Sequence, residues 1–263
     1  MSLRSANITV MTAAARKAGR ALIRDFNEVE HLQVSLKGPA NFVSAADKKA
    51  EDTIFNELSK ARPAFGFLME ERGEVKGSDG QHQFIVDPLD GTTNFLHSIP
   101  LFAVSIGLVK DGIPIAGVIY NPVYDEMYAA ERGQGAYLNN RRLRVAARKT
   151  LGDAVISCGI PHHERGDHER FRRELGVLQK QVAGLRRTGA AALDMAWTAS
   201  GRFDGFWERD LSPWDLAAGI VLLQEAGGFV TDLDGHMNML RVGSVVCGNY
   251  DIHAALLAAL KSA

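Results

Sequence analysis

Hydrophobic positions at helical spacing open the chain. Apolar residues recur every three or four positions over residues 6–27, which predicts an amphipathic helix. Ser44 through Asp47 has the pattern of a capping box, so we expect a second helix to begin there. Pro63 ends that helix at about Ala61. The chain is therefore predicted to start with two helices.

The pattern changes to that of β-strands at residue 101. Asp111-Gly112 marks a hairpin inside an antiparallel meander. The meander's expected strands are 101–109, 113–120, 127–130, 136–138 and 143–145. Strands are then expected at 154–160, 203–208, 229–230 and 244–247, and helices at 167–182, 212–225 and 252–260. This order favours layered sheets and helices over a simple doubly wound fold.

Two short apolar runs before the meander, 65–69 and 83–86, each end in acidic residues. Glu70-Glu71 follows the first run, and Asp87 follows the second. Pro88 cannot donate a ladder hydrogen bond, so we expect the second strand to end there. Carboxylates presented by two strand ends could face one cation.

The turn after Asp87 carries a second acid, Asp90, followed by Gly91. Paired carboxylates and nearby backbone carbonyls are the ligands that hard divalent cations prefer. If a helix begins here, the N–H groups of Gly91, Thr92 and Thr93 form an anion site beside them. An ordinary strand followed by an Asp-Gly turn explains the same residues equally well. The local sequence alone leaves both interpretations open.

Composition narrows the class of protein. The 263 residues are 46% hydrophobic and 23% charged, with a formal net charge of -1, as in ordinary globular proteins. This balance gives no basic footprint, so we expect no nucleic-acid partner. No apolar run approaches the ~18 residues of a membrane span, and no signal peptide is expected. Two cysteines suit a reducing cytoplasm, although one disulfide would also fit.

Local signals give two further acids a structural role. Asp47 lies in the capping box of the second helix. Ser212-Pro213-Trp214-Asp215 places a capping serine, a proline and an acid at the start of another helix. Each acid is explained locally as part of a helix cap, which does not prevent it from also being a ligand.

Taken together, these segments resemble the inositol monophosphatase family over nearly the whole chain. The resemblance rests on Glu70-Glu71, Asp87-Pro88-Leu89-Asp90-Gly91-Thr92-Thr93-Asn94-Phe95, Trp214-Asp215-Leu216-Ala217-Ala218-Gly219 and Glu225-Ala226-Gly227-Gly228. It implies one domain over 1–263, with two intimate halves of roughly 1–150 and 151–263. It also implies an α/β layered αβαβα sandwich with mixed and antiparallel sheets. A homodimer and Mg²⁺-dependent, lithium-sensitive phosphomonoester hydrolysis are part of the same expectation.

The resemblance also implies roles for individual residues. The first of two or three Mg²⁺ ions would be held by Glu70, Asp87 and the Leu89 carbonyl, and the second by Asp87, Asp90 and Asp215. A third, weaker ion would lie near Glu70. The expected catalytic residues are Asp47, Glu70 and Thr92, of which Thr92 and Asp47 orient and deprotonate the attacking water. Substrate contacts are expected from Glu70, Leu89, Asp90, Gly91, Thr92, Arg186, Gly189, Ala190, Ala191, Glu208 and Asp215.

The leading hypothesis is hydrolysis of myo-inositol monophosphate. Relatives act instead on fructose 1,6-bisphosphate, histidinol phosphate or adenosine 3',5'-bisphosphate. Glu208, matched to a hydroxyl-binding carboxylate, favours a polyol and disfavours a second phosphate because like charges repel. Ala190 stands where many members have Thr or Ser, so the preferred substrate is less fixed than the reaction. A non-catalytic or moonlighting binding partner is the alternative of another class, and the complete set of acids argues for catalysis.

Overall fold

The computed structural model describes residues 5–28, 34–38, 41–162 and 166–263. The helices within these ranges are α1 (Ala6–Phe26), α2 (Ala45–Ala61), α3 (Thr92–Leu96), α4 (His168–Leu178), α5 (Ala191–Ala199), α6 (Pro213–Glu225), α7 (Met239–Val242) and α8 (Tyr250–Lys261). The first strands are β1 (Val34–Gly38), β2 (Asn41–Ser44), β3 (Gly66–Met69), β4 (Gly73–Val75), β5 (His82–Asp90), β6 (Ala103–Lys110), β7 (Ile113–Asn121), β8 (Glu126–Glu131), β9 (Gly135–Leu138) and β10 (Arg141–Arg142). The remaining strands are β11 (Val155–Cys158), β12 (Gly184–Arg186), β13 (Gly205–Glu208), β14 (Phe229–Thr231) and β15 (Val245–Gly248).

Two large sheets organise these elements. The eight-stranded sheet has the order β10-β9-β8-β7-β6-β5-β3-β4 and is antiparallel except for the β3–β5 pair. The five-stranded sheet has the order β12-β11-β13-β15-β14, with β11 parallel to both of its neighbours. A separate hairpin pairs β1 with β2.

Helices cover both sheets in layers. α1 and α2 pack on one face of the eight-stranded sheet, and α5 and α6 pack between the two sheets. α8 covers the other face of the five-stranded sheet, and α4 packs beside it. Strand alternation separates the cores: Phe206 faces the central helices, whereas Trp207 packs in the outer core with Leu178 and Leu256. The expected αβαβα architecture is confirmed.

Helix α6 lies unusually close to the eight-stranded sheet. A Cβ atom on Gly107 would lie 2.5 Å from the Cβ atom of Ala217, and one on Gly117 would lie 2.4 Å from the carbonyl oxygen of Ala218. Residues 216–223 of this helix are all buried, as expected for a helix between two sheets. The two glycines therefore fix the height of α6, and with it the position of Asp215 in its first turn.

Pro88 does not end its strand, contrary to expectation. β5 continues to Asp90, and its register with β6 shifts between the pairs Asp87–Ser105 and Asp90–Ala103. The one extra residue on β5 forms a bulge, where a proline is tolerated because no ladder hydrogen bond is required. The bulge keeps both acids on one strand while changing the direction of the backbone between them.

Other boundaries differ modestly from expectation. α4 ends at Leu178, four residues before the expected end at Val182. The last meander strand is β10, which precedes the expected strand at 143–145. β4 and β12 were not expected; both contain only three residues, too few to give a periodic signal. No helix within the described ranges combines the length and apolar character needed to cross a bilayer.

Gly117→Ala tests the close approach of α6. The added methyl group would collide with backbone, so we expect a loss of about 1–3 kcal/mol in the free energy of unfolding, measured by urea denaturation. Gly176→Ala in α4 is the matched control, because a Cβ atom there meets no neighbour within 4 Å, and it should be neutral or stabilising. Equal stability of the two variants would contradict this account of the packing.

Candidate active site

Three carboxylates meet between the two large sheets. Asp87 and Asp90 come from β5, and Asp215 comes from the first turn of α6. One carboxylate oxygen from each lies within 4.8 Å of the others. Asp87 is only 3% exposed and Asp90 7%. The fold thus concentrates negative charge where little water can screen it.

Backbone N–H groups hold each of these acids. Leu89 N–H donates to Oδ1 of Asp87 at 2.9 Å, across the β5 bulge. Ala192 N–H, in the first turn of α5, donates to Oδ2 of Asp90 at 2.8 Å. Ser212 N–H donates to Oδ2 of Asp215 at 2.7 Å, within a capping box at the predicted start of α6. Capping and site geometry therefore use the same atoms.

The parallel β3–β5 pair places Glu70 beside Asp87. Met69 pairs with Val86, so the next residues of the two strands leave the sheet at the same level. Glu70 N–H donates to the carbonyl oxygen of Val86 at 3.2 Å. The charge of Glu70 adds to the effect of burial in raising the pKa of Asp87. This register brings the two strand ends together at one edge of the sheet, and their sharing of one cation stays a prediction.

Thr92 and Asp47 are in contact. Oγ1 of Thr92 lies 3.1 Å from Oδ1 of Asp47 and 3.0 Å from the carbonyl oxygen of Leu89. Asp47 is 1% exposed and lies behind Thr92. Gly91 precedes Thr92 with φ +90°, a conformation that favours glycine, and caps the short helix α3, so a helix does begin here. The N–H groups at the start of α3 have no acceptor within the helix.

A cleft of about 320 Å³ joins these groups. Its lining includes the expected site residues Glu70, Asp87, Leu89, Asp90, Gly91, Thr92, Gly189, Ala190, Ala191, Glu208 and Asp215. Asp47 is not part of the wall and reaches the cleft through Thr92. Residues distant in the sequence are thereby brought to one cavity.

Glu208 stands on the cleft wall at the end of β13. Its carboxyl carbon lies 1.8 Å from where a Cβ atom on Gly159 would be, so the carboxylate rests against bare backbone. Burial, and next the charge of Asp194, raise the pKa of Glu208 well above its usual value. Arg209 follows in sequence but donates from Nε to Oε1 of Glu174 at 3.0 Å. Its charge is balanced by α4 rather than by Glu208.

Arg186 is placed outside the cleft. Its guanidinium is exposed and donates from Nη1 to the carbonyl oxygen of Leu185 at 2.8 Å. Arg187 lines the cleft instead, and its charge opposes the raised pKa of Glu208. Successive side chains of an extended segment point in opposite directions, so the two arginines cannot both face the cavity.

Asp194 is a cleft residue that the sequence analysis missed. It is 1% exposed, and its Oδ2 accepts the hydroxyl of Thr188 at 2.7 Å. Burial raises its pKa to about 7. The sequence did contain a signal, since Asp194 is the one charged residue in the stretch 188–201. An acid in such a stretch is rarely buried without a partner.

Comparison with known proteins assigns the family. The profile of the inositol monophosphatase family matches residues 4–263. The chain belongs to this family. It is 64% identical to the inositol-1-monophosphatase of Mesorhizobium japonicum over 98% of this chain and 97% of that protein. It is 40% identical to the Nus factor SuhB of Escherichia coli K12 over 97% of this chain and 95% of that protein.

A solved structure supports the same assignment. The crystal structure of the extragenic suppressor protein suhB from Bartonella henselae superposes with a TM-score of 0.96. The two proteins are 58% identical, and the match covers 98% of this chain and 99% of that one. The resemblance identified from the sequence is confirmed, and the chain is a phosphoric monoester hydrolase of the inositol monophosphatase family.

The donor set of this site fits a hard cation. The family is generally Mg²⁺-dependent, and the acids that meet here offer only oxygen ligands, which Mg²⁺ prefers. Burial raises the pKa of Asp90 well above its usual value, and the charge of Asp215 adds to the shift. Protein groups alone therefore leave the negative charge under-compensated, as expected of a site for a divalent cation.

Stability should report this charge directly. The raised pKa values of Asp87 and Asp90 mean that the folded protein binds protons more tightly than the unfolded chain. With EDTA present, the free energy of unfolding should therefore fall as pH rises from about 4 through the folded pKa values. Asp90→Asn keeps an acceptor for Ala192 N–H and should be more stable than wild type at pH 8.

Adding Mg²⁺ should shift the comparison of stabilities in favour of the wild type over Asp90→Asn. At a Mg²⁺ concentration 100 times the Kd of the wild type, Mg²⁺ should stabilise the wild type by about 2.7 kcal/mol. Asp90→Asn should be stabilised by clearly less at the same concentration, as measured by thermal denaturation. The same pH series in EDTA is the baseline. Equal responses of the two proteins to Mg²⁺ would contradict the assignment of Asp90 as a ligand.

Proposed function

We propose that this protein is a Mg²⁺-dependent phosphomonoesterase that hydrolyses myo-inositol monophosphate to inositol and phosphate. The observation that carries the proposal is the meeting of Asp87, Asp90 and Asp215 in a cleft that is also lined by Thr92, with Asp47 in contact behind it. The relatives named inositol-1-monophosphatase support the choice of substrate.

Acidic and carbonyl oxygens would hold the metal ions. Glu70, Asp87 and the Leu89 carbonyl would bind one ion, Asp87, Asp90 and Asp215 the second, and Glu70 would lie near a third. When bound, Mg²⁺ supplies neutralisation of phosphate charge and a lowered pKa of bound water.

Thr92 and Asp47 would prepare the attacking water. The single proton of the Thr92 hydroxyl can be donated to Asp47, which leaves the Thr92 oxygen to accept a hydrogen bond from water. Asp47 is buried behind Thr92 and can take up a proton: the attacking water would give its proton to the Thr92 oxygen as the Thr92 hydroxyl gives its own to the Asp47 carboxylate. The N–H groups of Gly91 and Thr92 would donate to phosphate oxygens. No serine or cysteine lines the described part of the cleft, which agrees with direct attack by water.

The other end of the cleft suits a polyol. The carboxylate of Glu208 would accept hydrogen bonds from substrate hydroxyls. Gly189, Ala190 and Ala191 form a wall without long side chains, so a ring could approach the backbone. A second phosphate beside Glu208 would be repelled. Fructose 1,6-bisphosphate, histidinol phosphate and adenosine 3',5'-bisphosphate are therefore ranked lower as substrates.

The cellular setting and assembly are part of the proposal. We place the enzyme in the cytoplasm as a homodimer, without a nucleic-acid or membrane partner. Cys158 and Cys247 are both buried and unpaired, which suits a reducing compartment. Arg186, exposed on β12, is a candidate for the contact between subunits. A purely non-catalytic binding role would give no reason to keep the buried acids together.

A substrate panel tests the proposed activity. We expect Mg²⁺-dependent, Li⁺-inhibited phosphate release to be fastest from inositol 1-phosphate, compared with the three alternative substrates and β-glycerophosphate. Asp90→Asn should lower turnover by at least about 100-fold, since even the partners of metal ligands cost up to that much. Asp111→Asn, in the distant β6–β7 hairpin, is the control. Near-normal turnover by Asp90→Asn would contradict the metal assignment.

Glu208→Gln tests recognition of hydroxyl groups. Losing a charged acceptor should lower kcat/KM for inositol 1-phosphate by about 10–100-fold, because hydrogen bonds to charged groups contribute about 1.5–3 kcal/mol. p-Nitrophenyl phosphate has no hydroxyl for this carboxylate, so its hydrolysis should change little. Equal losses on both substrates would remove Glu208 from substrate recognition.

A further inference from the structure

A buried carboxylate on α2 supports the turn at Glu70-Glu71 that follows β3, here called the corner. Glu51 is 3% exposed, and its Oε2 accepts a hydrogen bond from the backbone N–H of Glu71 at 2.8 Å. The bond joins the middle of a helix to the turn that follows β3. Neither the sequence motifs nor the proposed chemistry assigns a role to Glu51.

Core packing does not explain a carboxylate at this position. Its helical neighbours Ala50 and Ile54 are fully buried, and an apolar side chain would fill the same space without a desolvation cost. A buried acid is tolerated where hydrogen bonds or opposite charge compensate it. Here the N–H of Glu71 does so, and Nε of Arg72 lies 3.9 Å from Oε1 of Glu51.

The hydrogen bond fixes a short piece of backbone from both sides. Before the corner, Glu70 N–H donates to the carbonyl oxygen of Val86. After it, Glu71 N–H donates to Glu51. The Cα atom of Glu70 lies between these two donor nitrogens, so the side chain of Glu70 leaves the backbone in a fixed direction. Removing the Glu71–Glu51 hydrogen bond releases the backbone on one side of Glu70.

One face of α2 therefore serves two parts of the site. Asp47 and Glu51 are four residues apart, which places them one above the other on the helix. Asp47 contacts Thr92, and Glu51 contacts the corner beside Glu70. A rigid helix sets the distance between these two contacts.

We propose that Glu51 is a positioning residue for Glu70: by accepting the N–H of Glu71, it aims the Glu70 carboxylate at the divalent cation. The inference rests on the proposed function, in which Glu70 is a metal ligand. Groups that orient metal ligands typically change metal affinity by 10–100-fold when they are removed.

The experiment compares Mg²⁺ binding by metal-free variants, using isothermal titration calorimetry with Mg²⁺ alone. Glu51→Met keeps the length of the side chain but removes the acceptor, and should weaken Mg²⁺ binding about 10-fold or more. Glu51→Gln retains an acceptor oxygen and should bind nearly as the wild type does. Turnover of Glu51→Met should recover at saturating Mg²⁺, because the chemical groups remain in place.

Asp52→Ala is the matched control on the same helix. Asp52 is exposed and pairs with Arg72, so its removal weakens the contact between α2 and this turn without touching Glu71. It should leave Mg²⁺ affinity unchanged. A loss equal to that of Glu51→Met would mean that loosening of α2 alone is responsible, and would overturn the proposal.

Two further results decide the matter. Wild-type Mg²⁺ affinity in a folded Glu51→Met protein would overturn the role of Glu51 while leaving the proposed function intact. Absence of Mg²⁺ binding by the wild type would overturn both, and so is distinguishable. If Glu51→Met does not fold, Glu51→Ala is the second variant without an acceptor, and it is judged by the same comparison with Glu51→Gln.

Discussion

Repulsion among clustered carboxylates is the constraint that the rest of this structure must balance. Asp87 and Asp90 are buried and Asp215 is partly buried, so the three carboxylates repel one another with little screening by solvent. Each is instead held by a backbone N–H that lies within or directly before a regular element. The surrounding layers supply the free energy that keeps the charges together, and a cation is the natural source of compensation.

The site also joins the parts of the chain that form the two sheets. Ala192 N–H reaches Asp90, Nδ2 of Asn94 donates to the carbonyl oxygen of Thr188, and Oγ of Ser105 donates to that of Trp214 at 3.1 Å. Each bond connects a residue within 90–105 with a residue within 188–214. The contacts that assemble the cleft are thus also contacts that hold the layers in register.

Local signals predicted those parts of the site that depend on local structure. The capping pattern at Ser212 placed Asp215 in the first turn of α6, and Gly91 indicated a turn that the structure contains. The family motif supplied what local signals left open, namely which acids meet. Division of the chain at about residue 150 stays a prediction.

Features set by tertiary contacts could not be predicted in this way. Pro88 was expected to end a strand, but the pairing of β5 with β6 resumes beyond the bulge. Whether Arg186 or Arg187 faces the cleft depends on the register of β12. A shift of one residue would exchange the directions of the two side chains. Asp194 is hidden in an apolar helix, and only the packing of α5 shows that it borders the cavity.

The origin of Asp215 in α6 has a consequence for synthesis of the protein. A ribosome releases Asp87 and Asp90 long before it has made the helix that completes their cluster. A partly translated or prematurely terminated chain thus has an acidic strand without its third carboxylate. The cluster of three carboxylates can form only after α6 has been made and has packed between the sheets, so assembly of this site depends on assembly of the layers.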